Sequence, residues 1–169
     1  MKKRLIAIDP GTEKTAWAVV EDDGTIVEHG ITPNHDMPPV LAKACFEHKV
    51  RHMAMEMIAS MGMAVGQTVF ETTVWIGRFV EHWLSLAGTN DYEFIYRVDE
   101  KMHMCQSPRA KDANIRQAIM DRYGPNPVGK KKNPGPLYGV SKDQWAALAV
   151  AFTALEVPVE QRINKRTQI

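Results

Sequence analysis

The stretch "LIAIDPGTEKTAWAVV", residues 5–20, constrains this chain more than any other. Leu5, Ile6, Ala7 and Ile8 form an unbroken apolar run, the pattern of a strand covered on both faces. Asp9 ends that run, and Pro10-Gly11 enforces a turn, because proline fixes φ and glycine accepts positive φ. Residues 15–20, apolar and partly β-branched, return as a second strand. Asp23-Gly24 then signals a hairpin into a third short strand at residues 25–29. The chain therefore opens as a three-stranded antiparallel meander with a carboxylate at the end of its most apolar strand. An acid there is either an ordinary turn residue or a group that binds metal, directly or together with phosphate. The second reading needs partners elsewhere.

The rest of the sequence supplies an order of elements. Pro33, Pro38 and Pro39 mark a loop and a helix start, and residues 40–48 read as a helix with Leu41, Ala44 and Cys45 on one face. Residues 51–57, "RHMAMEM", alternate as a half-buried strand with Met53, Met55 and Met57 on one side and Glu56 on the other. After the apolar loop "IASMGMAVG", residues 68–86 carry apolar side chains at helical spacing, including Trp75, Phe79 and Trp83. A strand is expected at residues 92–98. A helix should begin at Ser107-Pro108 and stop at Tyr123, before Gly124-Pro125. A loop rich in proline, glycine and lysine leads to Ser141, an N-cap for a last helix through Leu155. The order is βββ, α, β, α, β, α, loop, α, without internal repeats.

At 169 residues and 44% apolar content, one domain with a sizeable core is the expectation. We place it at residues 1–157, followed by a basic tail at 158–169. The two cysteines, Cys45 and Cys105, show neither a disulfide framework nor zinc spacing, so a reduced, cytoplasmic setting is expected. His103 and Cys105 are too few for a metal site. The basic start is broken by Asp9 too early for a signal peptide or membrane span. The net charge of +1 hides a segregation. Residues 1–96 hold 8 Lys/Arg against 13 Asp/Glu, whereas residues 97–142 hold 10 against 4. A basic segment after an acidic half suits contact with a polyanion, with metal neutralising some of the acids.

Two further carboxylates stand out. Glu56 lies in a strand where burying an acid is costly unless it is paired or metal-bound. Asp143 opens the apolar helix "SKDQWAALAVAFTALE", where the helix dipole alone could account for it. If the first and fourth strands are neighbours, Asp9, Glu56 and Asp143 meet at one end of the sheet.

Four stretches, "AIDPGTEKTAWAVV", "AMEMIASMGMAVGQTVFETTVWIGRF", "RAKDANIRQAIMDRYG" and "NPGPLYGVSKDQWAALAVA", together resemble the RuvC group of Holliday junction resolvases in the RNase H-like superfamily, most closely the bacteriophage type. The resemblance spans nearly the whole chain. It implies an α/β, RNase H-like fold with a five-stranded mixed sheet, order 3-2-1-4-5, flanked by helices. It implies a homodimer that cuts opposing strands of a four-way DNA junction, with Asp9, Glu56 and Asp143 as the catalytic, metal-binding acids. Ala146 stands where bacterial members carry a second metal-binding side chain one turn on. Asp143 then serves alone, or Glu13 or another nearby acid compensates.

Phosphodiester hydrolysis gives those acids a reason, because paired Mg²⁺ ions, with Mn²⁺ an alternative, activate water and stabilise the leaving oxygen. No small-molecule cofactor and no membrane partner are expected. Lys111 and Lys142 are candidate phosphate contacts, and Lys130, Lys131 and Lys132 can follow a DNA backbone without reading bases. Met61 and Met63, in the loop after Glu56, are candidates to enter the open centre of branched DNA. The helix with Trp75, Phe79 and Trp83 has more bulky apolar residues than one face buries, which suits a dimer interface. Other readings are an RNase H-like nuclease on another substrate, such as RuvX-like RNA processing, and a junction-binding protein without activity. An actin-like or sugar-kinase ATPase would need a second domain and a further phosphate motif, both missing here. If phage-encoded, the protein would work in the host bacterial cytoplasm.

Overall fold

The computed structural model describes residues 2–60, 62 and 64–169. Its centre is a five-stranded mixed sheet, built from β1 (Arg4–Asp9), β2 (Lys14–Glu21), β3 (Ile26–Pro33), β4 (His52–Met57) and β5 (Asp91–Tyr96). The strand order is β3-β2-β1-β4-β5, as the resemblance implied. The meander pairs antiparallel, and β4 joins β1 in parallel, with β5 parallel to β4. The parallel pairs require crossovers. Helix α1 (Met37–Phe46), with prolines in its first turn, and the long α2 (Gln67–Ser85) provide them.

Alternation along the strands separates two cores. Ile6, Ile8, Met53, Met55 and Phe94 face α1 and α2, with Leu41, Ile76, Phe79 and Trp83. Leu5, Ala7, Ala54 and Ile95 face α5 (Gln144–Glu156), whose Leu148, Val150 and Phe152 are buried with them. Helix α5 is apolar on nearly every side because α3 (Arg97–Cys105) and α4 (Asp112–Asp121) pack beside it while it lies on the sheet. Trp83 is fully buried, its indole N–H donating to the Asp91 carbonyl at 2.8 Å, so it and Phe79 belong to the core and not to an interface. The exposed apolar residues of α2 are Phe70, Val74 and Leu84.

Several boundaries differ from expectation for identifiable reasons. Strand β5 stops at Tyr96, and α3 starts at once; its fully or nearly buried side chains are Asp99 and Glu100, so no apolar period announces it. Gln106, at φ 54°, ends α3 in the left-handed conformation. Helix α4 then begins at Asp112, not at Ser107-Pro108, because Asn114 accepts from the Lys111 backbone N–H at 2.9 Å and closes the first turn. Ser141 does not cap α5. That helix starts after Lys142, at φ 49°, with Asp143 in the capping position. The third strand reaches Pro33, well beyond residue 29. The lysine-rich loop contains a small hairpin, β6 (Gly129–Lys130) with β7 (Asn133–Pro134). It is tightly wound: a Cβ on Gly135 would sit 2.2 Å from the Pro127 carbonyl oxygen.

Beyond α5 the chain returns to the sheet. Arg162 is buried and donates to Glu93 at 2.6 Å, and the Asp99 carboxylate accepts from the backbone N–H of Ile163 at 2.5 Å. The Phe94 N–H donates to the Thr167 carbonyl at 2.8 Å, which covers the free edge of β5. Among the described residues, no helix is long and apolar enough to cross a membrane.

Candidate active site

The carboxyl ends of the three parallel strands define one site. Ile8 pairs with Met55, so the next residues, Asp9 and Glu56, stand side by side. Both continue the face that carries Leu5, Ala7 and Ala54, and therefore point to the α5 side of the sheet. Glu56 pairs with Ile95, and Arg97, two residues later at the start of α3, lines one pocket with Glu56. Asp143, at the exposed start of α5, is near enough for its charge to act on both strand acids. Its position is fixed by its neighbour: buried Gln144 and His29 of β3 are hydrogen-bonded, pinning the helix start to the meander.

The turn after Asp9 is held as firmly. An added Cβ on Gly11 would come 2.4 Å from the Lys14 carbonyl oxygen, so only glycine fits. Buried Asn34 donates to the Gly11 carbonyl at 2.9 Å and accepts from the Thr15 hydroxyl at 2.7 Å. Its backbone N–H donates to the Glu13 carbonyl at 2.9 Å. The end of β3 thus clamps the loop that presents Asp9.

Crowded carboxylates in a poorly solvated corner resist ionisation. Burial, then the charges of Glu56 and Asp143, push Asp9 from the usual 3.8 up to about 8, with a hydrogen bond shared with Glu56 adding to the effect. Glu56 is also raised, by burial first, although Arg97 and the bond to Asp9 act against the shift. Glu100, on α3, is fully buried and raised well above the usual range, by burial and then by the Glu56 charge. Arg97 donates to Glu100 Oε2 at 2.6 Å and also to the exposed Asp112. Burial works against its charge, but Glu100 and Glu56 keep it protonated.

The structure sets Asp9 and Glu56 side by side, sharing a hydrogen bond, and leaves Asp143 near enough for its charge to act on both. Lys142 adjoins Asp143 and Lys111 precedes the Arg97 partner Asp112; both are exposed. Lys130 lies in β6, and Lys131 and Lys132 form the exposed tip of its hairpin. The expected junction contacts at Met61 and Met63 lie outside the described residues. Glu13 is exposed at the turn before β2 and supplies a backbone carbonyl there. His103 is engaged elsewhere, with Glu156 at 2.6 Å. Arg97 and Glu100 were missed. Their only trace in the sequence is an acidic pair, Asp99-Glu100, inside an otherwise basic segment.

By sequence, the chain matches no protein-family model and no curated protein. By structure, it matches Thermus thermophilus RuvC at a TM-score of 0.71 and 12% identity, over 94% of this chain and 98% of that one. It matches T. thermophilus RuvC in complex with a Holliday junction substrate at the same TM-score and identity, over 95% and 98% of the two chains. The chain thus has the RuvC fold, an RNase H-like α/β sheet, on a sequence far from that of the Thermus protein.

Proposed function

We propose that this chain is a metal-dependent endonuclease that cuts four-way DNA junctions as a two-fold dimer. The observation that carries this reading is the pairing of Asp9 with Glu56 at the strand ends, within reach of the Asp143 charge, in a fold shared with a RuvC solved on a Holliday junction substrate.

The donor set fits a hard divalent cation. Asp9 and Glu56 are adjacent and both raised even with the Arg97 guanidinium nearby, so the corner is short of positive charge. All donors are oxygens, which suits Mg²⁺, with Mn²⁺ an alternative. Among the described residues no three His, Cys, Asp or Glu side chains stand close enough together to hold a metal ion by themselves. Mg²⁺ commonly keeps several waters and shares its remaining ligands with substrate phosphate, which is consistent with so open a set. When bound, such a metal makes water nucleophilic near neutral pH and offsets charge on the leaving oxygen. Asp9 and Glu56 would hold it from the sheet, and Asp143 from the exposed mouth.

The chain's own residues do the rest. Lys142, next to Asp143, and Lys111, next to the Arg97 partner Asp112, are exposed and would position the phosphate backbone. Lys130, Lys131 and Lys132, exposed on the β6–β7 hairpin, would add phosphate contacts that do not read bases. Two opposed cuts need two sites related by symmetry, and the exposed Phe70 and Val74 of α2 offer an apolar surface for pairing.

The test is incubation of purified protein with labelled four-way junction, duplex, flap and single-stranded DNA, with Mg²⁺ or with chelator. Paired nicks on the junction, lost with chelator and in Asp9→Asn, Glu56→Gln and Asp143→Asn, are expected. Equal cutting of duplex and junction would replace this reading with a general nuclease. Binding without cutting under any divalent metal would leave a junction-binding protein.

A further inference from the structure

Glu100 is an unusual residue in this structure. It comes from α3, its side chain is 0% exposed, and Arg97 Nη1 donates to its Oε2 at 2.6 Å. Its other oxygen, Oε1, is buried with no hydrogen-bond partner. A carboxylate kept only to pair with Arg97 would be expected to use both oxygens, because a buried unpaired acceptor destabilises the fold. Arg97 is not devoted to Glu100 either, since it also bonds Asp112.

Glu100 is tied to the acidic corner through Arg97: Glu56 pairs with Ile95, Arg97 follows two residues later and lines one pocket with Glu56, and the same guanidinium holds Glu100. Of the neighbouring charges, Glu56 acts most strongly on Glu100, and Asp9 acts on it as well. Glu100 therefore borders the same corner as the two strand acids. One guanidinium cannot neutralise Asp9, Glu56 and Glu100 together, whereas divalent metal would. The sequence leaves a gap that this arrangement fills: Ala146 provides no second acid on α5, and Glu13 is exposed at its turn.

The geometry points to Glu100, gripped by Arg97, as the fourth acid of the centre, an outer carboxylate whose free Oε1 accepts a hydrogen bond from water carried by the metal that Asp9 and Glu56 hold. It is a positioning residue, and the assignment rests on the metal-dependent reading above. Outer-shell carboxylates orient what the inner ligands bind, and their loss typically weakens metal binding about 10- to 100-fold.

The experiment is a calorimetric Mn²⁺ titration of the full chain without DNA, comparing the parent with Glu100→Gln, Glu100→Asp and Asp9→Asn. Near-ultraviolet circular dichroism in chelator checks the fold of each. Glu100→Gln should weaken Mn²⁺ binding roughly 10- to 100-fold. The Mg²⁺ concentration for half-maximal junction cutting should rise by the same factor, with turnover recovered at high Mg²⁺. Glu100→Asp should fall between, and it decides the matter if the Gln variant does not fold. Unchanged Mn²⁺ affinity in a folded Glu100 variant, with binding abolished in Asp9→Asn, would overturn the role of Glu100 and leave the nuclease reading intact. No Mn²⁺ binding by the parent would overturn both.

Discussion

Replacing Asp9 by Asn should stabilise the metal-free protein at alkaline pH while removing its proposed activity. Asp9 is raised from 3.8 to about 8 in the fold. Between those values the folded chain keeps a proton that the unfolded chain has released, so stability is full below about pH 4 and is lost as pH rises towards 8. At about 1.4 kcal/mol per unit, the gap of about four units sets an upper bound of about 6 kcal/mol. Asp9 keeps some contact with solvent, and relaxation around it reduces the effect to about 2–3 kcal/mol. Asn has nearly the same shape and cannot ionise. For a chain of this length, the gain corresponds to a rise in Tm of roughly 5–10 °C at pH 8 in chelator. The two proteins should coincide near pH 4. Thermal unfolding followed by circular dichroism from pH 4 to 8 measures this, and added Mg²⁺ should raise the Tm of the parent alone. A variant no more stable than the parent at pH 8, or one with the same pH slope, would refute the argument that burial and neighbouring carboxylates strain this site.

Other perturbations separate the remaining parts of the molecule. Changing Lys130, Lys131 and Lys132 together to Ala should weaken duplex and junction binding alike. The slope of log affinity against log salt should fall by about 2 to 3, since each lost phosphate contact removes close to one released counterion. Asn34→Ala removes the hydrogen bonds to Gly11 and Thr15 and should cost about 2–3 kcal/mol in urea unfolding. If the clamp on the Asp9 turn matters to catalysis, cutting falls further than binding does. Phe70→Glu with Val74→Glu, at side chains 60% and 62% exposed, should leave the Tm nearly unchanged. The same pair should convert a sedimenting dimer to monomer. A parent that sediments as a monomer, alone and on junction DNA, would count against paired cutting.

Local patterns were enough for much of this architecture. The apolar run before Asp9, the Asp23-Gly24 turn and the methionine alternation around Glu56 are short-range signals, and each became the strand it indicated. The three candidate acids stood out for the same reason: an acid ending an apolar strand, inside a half-buried one, or opening an apolar helix conflicts with its surroundings. The resemblance implied that β1 and β4 are neighbours, but no local pattern shows the parallel register that sets Asp9 beside Glu56, since that pairing joins residues far apart in the chain. Nor could the sequence show which aromatic residues of α2 are core. Trp83 and Phe70 share one helical pattern, and only packing against the sheet buries the first and leaves the second in solvent. Helix α3 was invisible because its inward face is charged, and hydrophobic periodicity cannot report a helix that buries Asp99 and Glu100. Glu100 thus acquires its meaning from tertiary structure alone: a carboxylate that reads as surface in the sequence is placed by the crossover after β5 against Arg97, where its solvation is replaced by one ion pair and one unpaired oxygen.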